Sequence, residues 1–338
     1  MKFVTFLTDD NRERLGLFAA QRYWDLAASA AELSKKLPDN MKEFLNKGEA
    51  AMDVAREVET AANEGKIDTF VEDVLLLAPV PHPTSCRDAY AFRQHVATAR
   101  RNRGVEMIPE FDQYPVFYFT NHNAIIGPGE LMVERDHLER LDFELEAAIV
   151  IGKQGRNISS SQADSYIAGY MIMNDFSART LQMEEMKLNL GPAKGKDFAT
   201  AIGPWLVTPD ELEDRKKSTR FGDKYSLRMT ASHNGKQISD GNLDSMNWTF
   251  AEIVERCAYG VEIYPGDVIG SGTVGTGCYL ELNGTRRLEA EKEGREFTPT
   301  WLQDGDTVTL EIERLGVLEH KIVRSDTDRS ILAKKKKV

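Results

Sequence analysis

The stretch LDFELEAAIVIGK, Leu141 to Lys153, poses the first question of the sequence. Ala148, Ile149, Val150 and Ile151 run apolar without alternation, the pattern of a strand buried on both faces. Glu144 and Glu146 lie two residues apart just upstream. Side chains alternate along a strand, so both carboxylates point to the same side. Two readings are open. The pair ends a strand in solvent before the chain enters the core, since charged residues are mostly exposed. Alternatively, it ligates a hard cation, and the rest of the chain has to decide.

With 338 residues the chain is long enough for a large core, in one large domain or two. The apolar content of 41% is low for a membrane protein, and the longest apolar runs are too short to span a bilayer. MKFVTFLTDD turns acidic too soon for a secretory signal. A formal charge of −11 argues against a general nucleic-acid binder, which needs basic surface for phosphate contacts. The closing run AKKKKV is the one basic segment, a solvated tail or an address. Cys86, Cys257 and Cys278 are widely spaced and form neither a disulfide framework nor a zinc spacing. These features predict a soluble cytoplasmic protein that binds neither nucleic acid nor membrane.

Residues 1–75 read as a small unit, opening with strand-like KFVTFL and RLGLFAAQRYWDL. In GEAAMDVAREVETAANEGK, Met52, Ala55, Val58 and Ala62 recur at helical spacing and Gly65 is placed to end the helix. VLLLAPVPHPTS is apolar and then proline-punctuated, which marks a hinge. From residue 76 to 330 short strand-like runs dominate, among them VFYFTN, YIAGYMIMND, PWLVT, SLRMTASHNG, DVIGSGTVG, CYLELNG and DTVTLEIERLG. Glycine and asparagine turns separate them, predicting an α+β, β-rich fold built on a folded-over mixed sheet. Residues 331–338 form the basic tail.

Several residues are candidates for chemistry. Asp175 ends the apolar run of GYMIMNDFSARTLQ, suited to a helix N-cap. If a helix begins there, Arg179 and Gln182 share its face. LGPAKGKDFATAIGPWLV looks like a phosphate loop but fails the spacing, because only three residues separate Gly191 from Gly195 and Asp197 follows Lys196. Lys196 is then a surface charge or a cation held near an acidic site. CRDAYAFRQHVATARRNRG reads as helix over most of its length, which would place Asp88 and His95 two turns apart on one side. Thr273 sits in a glycine-rich turn and Glu281 within CYLELNG, read as a strand.

The order of these signals carries more than any one of them. R-D-x-Y-x-F-x-x-H is followed by E-x-E, N-D-x-S-A-R-x-x-Q and G-K-x-F. Then come N-x-x-x-M-x-W-T, P-G-D-V-I-x-S-G-T and L-E-L. Across about residues 76 to 325 the series resembles the fumarylacetoacetate hydrolase family, most of all its shorter bacterial members. The resemblance implies a mixed β-sandwich roll, usually a homodimer, acting on a small diketo acid. Four carboxylates that hold a metal in the family fall on Asp88, Glu144, Glu146 and Asp175, and all-oxygen ligation selects Mg²⁺ or Ca²⁺.

The family's histidine–glutamate base pair falls on His95 and Glu281. Groups around its reacting carbonyl fall on Arg179, Gln182 and Lys196. Its threonine matches Thr273, and two substrate-contacting tyrosines resemble Tyr90 and Tyr118. Where long fumarylacetoacetases carry a further tyrosine, this chain has Met186. The expected activity is carbon–carbon hydrolysis of a 1,3-diketo acid. Fumarylacetoacetate, an intermediate of tyrosine and aromatic breakdown, is the leading substrate. Acylpyruvate or fumarylpyruvate hydrolysis and oxaloacetate decarboxylation are the family alternatives. A non-catalytic, metal-stabilised binding protein would need the acids but not His95, Glu281 and Lys196 together.

Overall fold

The run that opens the sequence argument lies at the centre of the molecule. In a computed structural model, which describes residues 1–336, Leu145–Ile151 is a strand with all seven residues buried. It pairs antiparallel with Ile167–Asp175 on one side and Asp267–Gly270 on the other. Leu145, Ala147, Ile149 and Ile151 enter one apolar core, whereas Ala148 and Val150 enter a second on the opposite face. Two cores, one on each face, explain why the run does not alternate.

The sheet continues past Asp267–Gly270 to Ser85–Ala89, which runs parallel to it, and then to Phe117–Thr120. In the other direction it passes through Thr200–Val207 to the N-terminal strands Lys2–Leu7, Glu13–Ala19 and Arg22–Asp25. Residues 1–75 therefore share this sheet. Their helices Leu26–Glu32, Met41–Lys47 and Glu49–Asn63 pack over its second face, with Phe44, Ala55 and Val58 against Val150, Met171 and Leu206. A five-stranded sheet contains Arg228–His233, Lys236–Asn242, Thr307–Ile312, Gly316–Arg324 and Gly129–Val133. It packs on the first face, and parallel and antiparallel pairs occur in both sheets. The result is the strand-rich α+β architecture expected. Of the basic tail, Lys337 and Val338 lie outside the described residues. Among the described residues no helix is long and apolar enough to cross a membrane.

Three local expectations are corrected. Ser85–Ala89 is a strand, and the helix covers only Arg93–Asn102, so Asp88 and His95 share no helix. Pairing on both edges overrides the helical pattern there. Asp175 is no N-cap but the last residue of its strand, and the next helix is Arg179–Met186.

CYLELNG opens a helix, Tyr279–Lys292, and is not a strand. Its amides Tyr279 N–H and Leu280 N–H donate to the carboxylate of Asp142, at 2.7 and 2.9 Å. Such a carboxylate satisfies orphan donors and favours the helix dipole. Within this helix Gly284 is a packing residue. A Cβ on it would lie 2.6 Å from the Asn102 side chain, on the helix that carries His95. Gly284→Ala should therefore lower stability by about 1–3 kcal/mol through overpacking. In an exposed helix the same change would add about 1 kcal/mol. Urea denaturation of the two proteins measures the sign, and a higher midpoint for the variant would refute this account.

Candidate active site

Three strands of the large sheet and one glycine build an acidic centre. Glu146, Asp175 and Asp88 project from the same face of the large sheet, and one oxygen from each lies within 4.8 Å of the others. Glu146 and Asp175 are fully buried and Asp88 is 4% exposed, so the solvated-strand reading fails. Between the strands of Glu146 and Asp88 runs Asp267–Gly270, and Gly270 leaves the cradle open. A Cβ there would sit 2.5 Å from Asp88 Oδ1.

Some oxygens have partners. Gly272 N–H donates to Asp88 (3.0 Å), the Thr273 hydroxyl to Glu146 (3.2 Å) and the Tyr118 hydroxyl to Asp175 (2.6 Å). Glu146 Oε2 and Asp175 Oδ1 are buried without a hydrogen-bond partner. Burial and the Asp175 charge push the Asp88 carboxyl up to about 7. Burial and Asp88 raise Glu146 well above the carboxylate range, and burial raises Asp175 against the pull of Lys196. Orphaned oxygens, mutual repulsion and an all-oxygen donor set fit a hard divalent cation.

Glu144, expected as a fourth ligand, lies outside this set. Its carboxylate accepts from Lys196 Nζ and from Arg179, the latter at 2.7 Å. Burial alone would raise its pKa, but the two cations hold it at about 2. Lys196 also donates to Asp175 at 2.7 Å, so it is a cation held in the acidic site and not a surface charge. Arg179 is buried and committed to Asp142, Glu144 and the amide oxygen of Gln182. That leaves the Gln182 amide nitrogen free to donate.

Sequence reading missed two anchoring acids. Asp142 is fully buried, holds Arg179 at 2.9 Å and caps the helix of Glu281. Its signal was present, because 142, 144 and 146 continue one alternation. Glu185 accepts from the backbone N–H groups of Ala193, Lys194 and Gly195, which fixes the turn presenting Lys196.

His95 and Glu281 meet from two helices. His95 Nδ1 lies 2.6 Å from Glu281 Oε2, both side chains buried, and Thr276 N–H donates to the other Glu281 oxygen. Tyr90 packs edge-on to the imidazole at 6.0 Å. His95, Asp88, Glu144 and Lys196 open into one cleft of about 850 Å³. Tyr90, Tyr118, Arg179, Gln182, Thr273 and Met186 line it as well.

Comparison with known proteins gives the family. Residues 84–323 match the model of the fumarylacetoacetate (FAA) hydrolase C-terminal domain. The chain belongs to the fumarylacetoacetate hydrolase family. Human oxaloacetate tautomerase FAHD2A, mitochondrial, is 29% identical over 288 residues, covering 85% of this chain and 81% of its own. The 2,4-didehydro-3-deoxy-L-rhamnonate hydrolase of Sphingomonas sp. is 30% identical, over 62% of this chain and 65% of its own. The fumarylacetoacetate hydrolase structure from Exiguobacterium antarcticum shares the fold. Its TM-score is 0.67 at 23% identity, covering 96% of this chain and 100% of that one. The family is one of enzymes: hydrolases, tautomerases and isomerases.

The raised carboxyls give a pH signature. Asp88 has an ordinary value of 3.8 and reaches about 7 in the metal-free fold. Its stabilising contribution is complete below the lower value and is lost as pH rises through the upper one. Chelator-treated protein should therefore lose melting temperature between about pH 5 and about pH 8 more steeply than Asp88→Asn does. Added Mg²⁺ should stabilise wild type more at the higher pH, where its ligands are deprotonated. Parallel melting curves for wild type and variant, without added metal, would contradict this.

Proposed function

We propose that this protein is a divalent-cation-dependent hydrolase that cleaves a carbon–carbon bond of a 1,3-diketo acid, with fumarylacetoacetate as the leading substrate. One observation carries the reading: His95 of the His95–Glu281 pair and Asp88 of the three-carboxylate cluster line the same cleft. Asp88, Glu146 and Asp175 would hold Mg²⁺ or Ca²⁺, which when bound supplies Lewis-acid polarisation of the substrate's oxygens.

With Nδ1–H donated to Glu281, His95 Nε2 carries the lone pair and takes the proton of a water aimed at the carbonyl carbon. Glu281 stabilises the resulting imidazolium, and Thr276 N–H keeps its carboxylate in place. The Lys196 ammonium has three donors, two of them used by Glu144 and Asp175. Its third, with the Gln182 amide nitrogen, meets the oxyanion of the tetrahedral intermediate. The carbon–carbon bond then breaks toward the second carbonyl, and His95 returns its proton to the departing carbon. Arg179 acts as a positioning residue, because each of its three nitrogens is engaged by Asp142, Glu144 or Gln182.

A second reading is oxaloacetate tautomerisation, supported by the likeness to FAHD2A over 85% of the chain. It needs a proton moved between carbon and oxygen, which the same pair can do without attacking water. The proposal carries with it a homodimer and a reducing, cytoplasmic setting. Three buried free thiols are consistent with that setting, although the human relative is named mitochondrial.

Steady-state turnover of fumarylacetoacetate, fumarylpyruvate and oxaloacetate, with and without Mg²⁺, tests the assignment. His95→Ala should reduce diketone hydrolysis by about 10²–10⁴-fold while bound metal, measured by elemental analysis, is retained. A His95→Ala protein that hydrolyses the diketone normally would remove the water-activating role. Oxaloacetate tautomerisation in wild type without any diketone hydrolysis would favour the second reading.

A further inference from the structure

The helix that carries His95 ends against the helix that carries Glu281, and one residue makes the junction. Asn102 is the last residue of Arg93–Asn102 and is 7% exposed. Its side-chain nitrogen donates to the Glu281 backbone carbonyl at 2.9 Å and to the Thr285 hydroxyl at 3.3 Å. A carbonyl only accepts, so the amide must present its nitrogen there. The backbone carbonyl of Asn102 accepts from the Arg287 guanidinium at 2.8 Å, which satisfies one orphan acceptor at the helix end. Glu281, Gly284 and Thr285 lie three and four residues apart on one helical face, and Asn102 sits against all three.

Two features separate this contact from ordinary packing. The first is that one helix holds Glu281 at two points. Its carboxylate meets His95 at 2.6 Å, and its backbone carbonyl meets Asn102, seven residues further along the same helix. Seven residues are two turns, so His95 and Asn102 share a side and stand about 10 Å apart along the axis. Two points of attachment fix an orientation where one would leave a pivot.

The second feature is an unmet group. Asn102 Oδ1 is buried without a hydrogen-bond partner, which destabilises the fold. Leucine has the same branched shape and would remove that orphan. The Glu281 carbonyl would keep the intrahelical bond from the residue four places on, so no new orphan would appear. For stability alone an apolar residue suits this position at least as well, and the asparagine calls for another reason.

The geometry points to Asn102 as a positioning residue that aligns Glu281 with His95 across the two helices. By holding the backbone of Glu281, its amide keeps the carboxylate on His95 Nδ1, which reserves the Nε2 lone pair for the proton of the attacking water. Neither polar atom of the Asn102 side chain is available to substrate, because the nitrogen is committed and the oxygen is buried. This rests on the base role given to His95 under the proposed function.

Asn102→Leu decides it, compared with wild type in the full-length, Mg²⁺-loaded protein. The melting temperature should equal or exceed that of wild type, since the orphan is gone. Nitrogen-15 labelling of histidine reads the His95 tautomer at a pH where the imidazole is neutral, with the signal assigned from its absence in His95→Ala. Wild type should hold the proton on Nδ1, and the variant should show a mixture of the two tautomers. In diketo-acid turnover kcat should fall about tenfold or more with KM nearly constant, because the base is displaced and the substrate contacts remain.

A lower melting temperature in Asn102→Leu would make Asn102 a packing residue and overturn the proposal. So would a wild type without the Nδ1 proton, or the same tautomer in both proteins. An unchanged kcat also overturns it, as does a rise in KM alone, which would mark a substrate contact. If wild type turns over none of fumarylacetoacetate, fumarylpyruvate and oxaloacetate, the diketo-acid reading falls, and the tautomer comparison still decides the role of Asn102.

Discussion

Like charges buried side by side on one face of a sheet are the constraint around which this molecule is arranged. An unpaired buried carboxylate is strongly disfavoured, and a second one beside it raises the penalty further. Here Glu146 and Asp175 are fully buried and Asp88 nearly so. The surroundings compensate in part. Lys196 and Arg179 neutralise Glu144, Lys196 reaches Asp175, and backbone or hydroxyl donors take single oxygens of each acid. The oxygens left over point to a cation as the remaining partner. Gly270 belongs to the same arrangement, because a side chain at this position would press on Asp88 Oδ1 and Met173.

Much of this was legible in the sequence, and the limits have physical causes. The strand that holds Glu146 could be read because a strand buried on both faces has a distinctive composition, and the two cores later accounted for it. The helix Glu49–Asn63 followed from its period. Asp88 and Glu281 were placed on the wrong elements for a shared reason: tertiary partners decided both. Ser85–Ala89 becomes a strand because it is paired on both edges. Tyr279–Lys292 becomes a helix because the remote carboxylate of Asp142 satisfies its first amides. No local rule contains either partner. The division of labour among the acids was hidden as well. Alternation puts Glu144 and Glu146 on one face, but which of them meets Lys196 depends on a turn fifty residues away.

That turn shows why the glycine-rich segment misled and informed at once. LGPAKGK lacks the spacing of a phosphate loop, yet its backbone amides do bind an anion, the chain's own Glu185. Successive N–H groups in such a turn form a natural anion cradle. Gly195 is needed there because a Cβ would lie 2.6 Å from Gln182. One helix thus carries Gln182 toward the cleft and Glu185 into the turn, so Lys196 and Gln182 are positioned by a single rigid element.

Two structural layers divide the chemistry between them. The large sheet supplies Asp88, Glu146 and Asp175, and its register fixes their separation. The helices supply His95, Glu281, Gln182 and Arg179, and the placement of the His95–Glu281 pair depends on two contacts: Gly284 against Asn102, and Asp142 at the start of Tyr279–Lys292. Asp142 joins the layers, since the same carboxylate holds Arg179, which holds Glu144 and Gln182. A shift of either helix would move one member of the His95–Glu281 pair, whereas the acid cluster is held by the sheet. In such an architecture the three-acid cluster is a constant of the sheet. Under the proposed function, the choice between an attacking water and a simple proton shuttle then falls to the helices that carry His95 and Glu281.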